Sequence, residues 1–370
     1  MKVLLIDSTE ISQAPYLEIY TQIFDKQKVE WDIFTWNKDI NSNLTYADHV
    51  YTAHKKMHLR GIKKYYDFYR ISKLAKKLIC NHGYTHLVII NTIWATLLCK
   101  QLGEFKNRYI LDVRDYKMEN KPCFSWILKR IVNHSYATVI SSEGFREFMP
   151  ENDKLLVAHN LMADTDKSYD KPSLNREKLP IKIGFVGYVR YNEPNRGLIK
   201  CLKNNLNYEI HYYGALSRYC DFHTDSVLKS DNVFMHGKYD NKDKDTLYKN
   251  IDIINALSGM DNESRWLTPN RLYDALLYKK PLIALPGIYL GKFIKKYGIG
   301  VAIDPDDKNF EKLLDKYINN FDEKEFSMVC DRLLKKVKKE NLCFLNTIAN
   351  FGNSESRNEN KCCNKSGWIN

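Results

Sequence analysis

The stretch Asn262–Gly287, NESRWLTPNRLYDALLYKKPLIALPG, decides how the second half of the chain folds. Thr268 followed by Pro269 predicts the start of a helix, because a threonine oxygen accepts an unpaired N–H group and proline fits the first helical position. Apolar residues then recur at helical spacing, and a further proline predicts that the helix ends near Lys280. The apolar run Leu282–Leu285 follows as a buried strand, so the stretch predicts a helix that leads directly into a sheet.

Three polar residues lie in the first turns of this predicted helix. Asn270 and Asp274 are four residues apart, and Arg271 and Asp274 are three apart, so their side chains are neighbours. A helix N-terminus offers free N–H groups and positive partial charge, which suit a phosphate, and a carboxylate one turn later can hold sugar hydroxyls. The alternative is an ordinary surface ion pair between Arg271 and Asp274.

The segment PNRLYDALLYKKPLIAL resembles the donor-nucleotide segment of GT-B glycosyltransferases, particularly the family 4 enzymes of bacterial capsule and O-antigen synthesis. The resemblance implies an α/β chain of two Rossmann-like, doubly wound parallel-sheet domains that face each other across a cleft. By this resemblance, Asp274 occupies the position of the Glu that binds the nucleotide ribose in the family, and Arg271 occupies the position of the family's Lys. The chain departs from the pattern at Lys279, where the family has Gly.

Size and composition predict a soluble two-domain protein. The chain has 370 residues, of which 44% are hydrophobic and 28% charged. The N-terminal apolar run Val3–Ile6 is too short for a signal peptide, and Leu87–Cys99 is too short to span a bilayer. The nine cysteines form no CxxC pair, which indicates reduced, cytoplasmic usage. With no DxD motif and no cluster of metal-ligand spacing, we expect neither a cofactor nor a metal.

A net charge of +12 indicates either a negatively charged binding partner or an ordinary solvated basic surface. Lys55–Lys77 contains nine Lys or Arg, among them Lys63 and Lys64, against one acid, Asp67, with tyrosines threaded between them. As a helix, this segment suits anionic lipid headgroups. The alternatives are nucleic acid, which no recognised motif supports, and a solvated helix whose tyrosines pack on the core. The resemblance implies a lipid-linked acceptor, so we expect a cytoplasmic protein peripheral on the inner face of the plasma membrane.

In the first half, compact apolar runs alternate with helix-length connections, which predicts βαβ units and a parallel sheet. Open α/β sheets bind ligands beyond the carboxyl ends of their strands, where Asn91 and the DVRD stretch lie. The stretch resembles the Asp-x-Arg-Asp of capsule-type glycosyltransferases. Its carboxylates, Asp112 and Asp115, flank Arg114 and can orient or deprotonate an acceptor hydroxyl, and Asp115 is our candidate for that role. The favoured alternative is structural, with the acids capping the next helix and pairing with Arg114.

In the second half, a predicted strand runs into Gly187 and two arginines, a plausible diphosphate cradle. The spacing matches neither a dinucleotide fingerprint nor a Walker A loop. By the resemblance, Gly187 is the family's diphosphate-binding glycine, beside Tyr188, and Arg190 and Arg196 are its cations. The resemblance also places two further residues in the donor site: His236 near the nucleotide base and Glu263 as the first acid of a spaced acid pair. The alternative for a lone histidine such as His236 is a structural role.

We therefore expect an acceptor-side domain over 1–162, a linker over 163–180, a nucleotide-sugar domain over 181–350 whose last helix returns to the first domain, and a disordered tail over 351–370. The expected reaction is metal-independent, retaining transfer from a nucleotide-diphosphate sugar to a saccharide or polyprenyl-linked acceptor. Arg190, Arg196 and Arg271 would stabilise the departing diphosphate. The alternatives are a nucleotide-sugar epimerase of the same fold and a non-catalytic relative that recruits partner enzymes.

Overall fold

The computed structural model describes residues 1–58, 61–115, 122–161, 174, 179–222, 224–225, 229–262 and 264–352. Glu263, nearly all of the predicted linker 163–180 and the predicted tail beyond residue 352 lie outside the described residues. The described chain divides into two compact units. The first comprises 1–159 and the residues from 339 onward, and the second comprises 160–338.

The first unit is built on a sheet of eight of the described strands. The strands are β1 Lys2–Ile6, β2 Glu30–Asn37, β3 Thr45–Ala47, β4 Val50–His54, β5 His86–Ile90, β6 Tyr109–Val113, β7 Ala137–Ile140 and β8 Leu155–Val157. The helices between them are α1 Pro15–Lys26, α2 Ile62–Asn81, α3 Thr92–Leu97, α4 Cys99–Glu104 and α5 Pro122–His134. The strand order is β3-β4-β2-β1-β5-β6-β7-β8, and every pair is parallel except β3 with β4.

Helices cover both faces of this sheet, which explains why its central strands are almost continuously apolar. On one face, α1 packs through Leu17 and Tyr20 onto the strands. On the other face, aromatic side chains fill the core: Trp36 of β2 meets Phe68 of α2 edge-on at 5.0 Å, and Phe68 in turn meets Trp94 of α3. The predicted parallel sheet is confirmed.

The second unit has a sheet of six of the described strands, all parallel. The strands are β9 Ile181–Val186, β10 Tyr208–Tyr213, β11 Val233–Gly237, β12 Ile253–Asn255, β13 Leu282–Ala284 and β14 Gly300–Ala302. The helices are α6 Asn192–Leu202, α7 Lys244–Lys249, α8 Asn270–Tyr278, α9 Tyr289–Tyr297, α10 Phe310–Asn319 and α11 Glu323–Ala349. The order β11-β10-β9-β12-β13-β14 is that of a doubly wound dinucleotide-binding sheet, whose strand order reverses between β9 and β12.

Helix α11 contributes to the cores of both units. Leu333 and Val337 belong to the core of the second unit, and Phe344 and Ile348 belong to the core of the first. Among the helices in the described ranges, none combines the length and apolar character needed to cross a membrane.

Candidate functional site

The second unit has a cavity of about 810 Å³ at the carboxyl edge of its sheet. The loops after β9 and β12, the segment that leads into α7 and the first turns of α8 supply the lining, which includes Gly187, Tyr188, Arg190, Tyr239, Lys244, Asn270, Arg271 and Asp274. The volume is typical of a site for a small ligand. Its position, where β9 and β12 part, is where open α/β sheets bind ligands.

Two glycines shape the turns after β9 and β10. Gly187 has φ +132° and Gly214 has φ +143°, conformations that other residues rarely adopt. A Cβ on Gly214 would lie 1.8 Å from the carbonyl oxygen of Gly187, so the two turns touch through their backbones. A Cβ on Gly187 would lie 3.4 Å from Nη1 of Arg271, which places this turn beside that guanidinium.

Helix α8 opens onto the cavity with an uncapped first turn. Its cap position is Pro269, one residue later than the predicted Thr268, and Pro269 offers no side chain to the first N–H groups. The helix ends at Tyr278, two residues before the predicted end near Lys280. Asn270, at its first position, lines the cavity and accepts a hydrogen bond from the side-chain amide of Asn160 at 2.8 Å.

Arg271 is partly buried and forms no ion pair with any carboxylate of the described residues. Its guanidinium lies over the ring of Phe185, 4.0 Å from the centroid, and its Nε has no hydrogen-bond partner. Within the described chain no carboxylate lies close enough to form an ion pair with it. Burial lowers the pKa of Arg271 below its usual range, against the opposing influence of Tyr248 and Asp274. A guanidinium with a buried Nε that lacks a partner, and with no ion pair to a described carboxylate, indicates a site for an anion.

Asp274 is held by residues other than Arg271. Its Oδ2 accepts hydrogen bonds from the hydroxyl of Tyr248 at 2.7 Å and from Nζ of Lys244 at 3.2 Å, and Lys244 also lies 3.3 Å from Oδ1. Burial and the charge of Asp274 raise the pKa of Tyr248 well above 10.0. The alternative that Arg271 and Asp274 form an ordinary surface ion pair is therefore wrong. The sequence reasoning did not find Lys244 or Tyr248.

The cavity lining has more cationic than anionic side chains. Tyr188 and Arg190, both predicted, line the cavity, and the guanidinium of Arg190 lies 5.9 Å from the ring centroid of Tyr188. Lys242 adds a further cation. In the described ranges, no group of three or more His, Cys, Asp or Glu is arranged to hold a metal ion.

Arg196 and His236 do not line this cavity. Arg196 forms ion pairs with Asp225 at 2.5 Å and Asp221 at 3.4 Å, so its charge is already balanced. The ring of His236 stacks on Tyr213, with centroids 4.2 Å apart. The structure therefore gives no support to the predicted donor contacts of these two residues.

The first unit has its own polar cluster at the carboxyl ends of β5 and β6. Asn91 adopts φ +67°, and its Oδ1 accepts from the backbone N–H groups of Arg114 and Asp115 at 2.8 and 3.1 Å. Asp112, fully buried, accepts from Arg114 at 2.6 Å and from the Tyr20 hydroxyl at 2.8 Å. The structure thus shows the pairing of Asp112 with Arg114 that the structural alternative predicted.

Asp7 organises the glycine-free loop after β1, and the sequence reasoning did not single it out. Its carboxylate accepts from the N–H groups of Ser8 and Thr9 and, at 2.6 Å, from the hydroxyl of Tyr16. Burial raises the pKa of Asp7 above 3.8 in spite of these hydrogen bonds. The ring of Tyr16 lies 4.8 Å from the guanidinium of Arg114, which connects this loop to the polar cluster.

Two polar atoms of this cluster are buried without partners in the described chain. They are Oδ1 of Asp112 and Nε of Arg114. Native proteins seldom leave buried polar groups unpaired outside functional sites. The cluster therefore has hydrogen-bonding capacity to spare at the sheet edge where ligands of α/β proteins bind.

No protein-family model and no curated protein matches the chain. Solved structures do resemble it. Sucrose-phosphate synthase from Thermosynechococcus elongatus is 12% identical, with a TM-score of 0.59 over 94% of this chain and 96% of that one. The lipopolysaccharide outer core galactosyltransferase WaaB is 14% identical, with a TM-score of 0.61 over 92% and 99%.

A glycosyltransferase from Rickettsia africae is 12% identical, with a TM-score of 0.61 over 94% of this chain and 95% of that one. Identities this low establish the fold alone. The matches extend over nearly the whole chain, including both parallel sheets. They confirm the predicted fold class: the chain has the α/β fold of GT-B glycosyltransferases, with two doubly wound parallel-sheet units.

Proposed function

We propose that the protein is a glycosyltransferase that uses a nucleotide-diphosphate sugar as donor. The observation that carries this proposal is the guanidinium of Arg271, which forms no ion pair with a described carboxylate and lies beside the glycine turn at Gly187, in the first turn of α8. Backbone N–H groups and an arginine fork are the groups that bind phosphate oxygens in proteins. Asp274, one turn further along α8, then holds the ribose.

The same groups supply the chemistry. When the sugar leaves the donor, negative charge grows on the departing diphosphate, and fixed cations and N–H dipoles stabilise it. Arg271 contributes one charge, and the exposed Arg190, which also lines the cavity, adds a second one. With these cations in place the transfer proceeds without a metal. Retention of configuration is proposed from the family resemblance.

Asp115 is the residue that we propose for the acceptor side. Its backbone N–H donates to Asn91, and the neighbouring Asp112 is fully buried and paired with Arg114. Asp115 itself is only partly buried, so its carboxylate can orient the acceptor hydroxyl. The acceptor that we propose is a saccharide linked to a polyprenyl lipid, in the synthesis of a surface polysaccharide of the capsule or O-antigen type.

The exposed face of α2 supports a membrane location for this chemistry. Ile62, Tyr65, Tyr66 and Tyr69 lie on that face, with 44% to 87% of their surface exposed. The alternative that these tyrosines pack on the core is therefore wrong. Large apolar groups on a solvent-exposed helix face indicate an interaction surface.

The charge of this face is entirely positive. Asp67, the one acid of the segment, is buried and accepts hydrogen bonds from the backbone and ring of His58. Lys63 is exposed on the face and Lys64 is partly buried. Basic residues beside exposed aromatic groups bind anionic headgroups. We therefore propose that α2 holds the protein on the inner face of the plasma membrane.

The donor proposal is tested by thermal stabilisation of the purified protein with a panel of UDP-, GDP-, ADP- and dTDP-sugars, with and without EDTA. We expect one nucleotide class to raise the melting temperature, and we expect EDTA to leave that increase unchanged. Arg271→Ala should abolish the increase, whereas Arg332→Ala, an exposed arginine on α11, should retain it.

The absence of any shift in folded protein would contradict the proposal and favour the non-catalytic alternative. A product assay separates the two enzymatic alternatives. A transferase releases the nucleoside diphosphate when an acceptor is present, whereas an epimerase returns an altered nucleotide sugar.

A further inference from the structure

We propose that Lys244 determines nucleotide specificity in this cavity by forming, with Asp274, a pair that binds the two ribose hydroxyls. The inference rests on the proposed function, because it assigns a further residue to the same donor site. Lys244 is the first residue of α7 and reaches Asp274 from thirty positions earlier in the chain. Neither the helical spacing within α8 nor the family resemblance assigns it a role.

The hydrogen bonds already made by Asp274 leave room for one more donor. A carboxylate offers about four acceptor positions on its two oxygens. The hydroxyl of Tyr248 and the ammonium of Lys244 both bond to Oδ2, whereas only the ammonium, at 3.3 Å, bonds to Oδ1. Because Asp274 lines the cavity, Oδ1 can accept from a ligand hydroxyl.

Lys244 has a donor to spare beside that acceptor. An ammonium carries three N–H groups. The ammonium of Lys244 bonds to Asp274, but the Lys244 side chain remains 25% exposed and lines the cavity. One of its N–H groups can therefore donate to a ligand. A donor and an acceptor thus lie about 3.3 Å apart on the wall of the cavity. A ribose cis-diol matches them, with the 3′-hydroxyl donating to Asp274 and the 2′-hydroxyl accepting from Lys244.

The pairing also divides the cations of the cavity between two tasks. Lys244 balances the charge of Asp274, and the guanidinium of Arg271, which forms no ion pair with a described carboxylate, is then available to phosphate. Removing Lys244 therefore affects the ribose contact, while removing Arg271 affects the diphosphate contact. The two substitutions are expected to give different binding patterns.

The test compares nucleoside diphosphates that differ only at the ribose. Dissociation constants for UDP, ADP and GDP and for their 2′-deoxy counterparts are measured by calorimetry on the full chain. We expect the wild type to bind the preferred ribonucleotide about tenfold more tightly than its deoxy form, because the deoxy form leaves a polar group of the pair unmatched. Lys244→Met should lower ribonucleotide affinity to the deoxy level and leave deoxynucleotide affinity unchanged.

Two further variants complete the design. Lys249→Met, which removes an exposed lysine from the end of the same helix, should behave as the wild type. Lys244→Gln keeps a donor and should retain part of the ribose preference, which separates loss of the contact from misfolding.

Three results would overturn the inference. They are a wild type without ribose preference, an equal loss of both nucleotide forms in Lys244→Met, and tighter binding in that variant, which would mean that Lys244 blocks the cavity. Complete absence of nucleotide binding in the wild type would instead contradict the proposed function itself.

Discussion

At the scale of single residues, the contact between Gly187 and Gly214 shows why the turn after β10 permits no side chain at position 214. Any residue other than glycine at position 214 would place its Cβ 1.8 Å from a carbonyl oxygen and would also have to adopt φ +143°. Both the clash and the backbone strain would have to be relieved by moving the wall of the cavity.

We expect Gly214→Ala to lower the free energy of unfolding by at least about 2 kcal/mol. The measurement is chemical denaturation followed by circular dichroism. Gly103→Ala is the matched control, because Gly103 lies in α4 and has no neighbouring atom within 4 Å of its missing Cβ. That control should raise stability by roughly 0.5–1 kcal/mol through helix propensity. Equal stability of the two variants would refute the backbone contact.

Lys279 shows what sequence reasoning predicts at a single position and what it misses. The departure from glycine before the Lys-Pro pair was evident, and the structure gives Lys279 the left-handed conformation, with φ +51°, that glycine favours. Its side chain is buried and bonds to Ser327 at 2.8 Å and Asp331 at 3.1 Å. Those partners lie about fifty residues away on α11, where local spacing gives no information.

At the scale of elements, α8 could be predicted to within two residues, because prolines and apolar spacing mark both of its ends. The ion-pair partner of Asp274 could not be predicted from the sequence. A spacing of three residues predicts that Arg271 and Asp274 are neighbours, but Lys244 reaches Asp274 from α7, and Arg271 stacks on Phe185 of β9. Which of two available partners a buried carboxylate takes depends on packing between elements that are distant in sequence.

Helix α2 was predicted as a basic, tyrosine-rich helix, but the sequence did not determine which way its tyrosines point. We expect Lys63→Glu/Lys73→Glu to reduce binding to vesicles that contain phosphatidylglycerol, because each lysine near an anionic surface contributes about 1 kcal/mol. Co-sedimentation with phosphatidylcholine vesicles, with and without phosphatidylglycerol, measures the effect. The binding should weaken as salt is raised.

The matched control for α2 is Lys312→Glu/Lys324→Glu, which changes the net charge by the same amount on exposed lysines of the second unit. If α2 is the membrane surface, this control should bind like the wild type. An equal loss in both double variants would mean that overall charge, rather than the face of α2, drives the binding. No binding of the wild type to anionic vesicles would contradict the membrane proposal.

At the scale of the whole molecule, the alternation of strands and helices was enough to predict a parallel sheet in the first half, and the family resemblance implied the second sheet. The strand order was not predictable from it, because apolar runs do not encode which strands are neighbours. The structure also shows that the first unit is completed by residues from the far end of the chain: Phe344, Ile348 and Phe351 belong to its core. A fragment ending at residue 162 would lack these side chains.

Phe344 also packs against Tyr20, which forms a hydrogen bond in the polar cluster of the first unit. Its ring meets that of Tyr20 edge-on at 6.0 Å, and the hydroxyl of Tyr20 donates to Asp112 in the polar cluster of the first unit. We expect Phe344→Ala to lower the free energy of unfolding by about 3–5 kcal/mol, because it leaves a cavity in the core. Leu342→Ala, on the same helix but 57% exposed, should change stability by less than about 0.5 kcal/mol. Chemical denaturation curves of the two variants measure this difference. Similar curves would mean that the end of α11 lies outside the core.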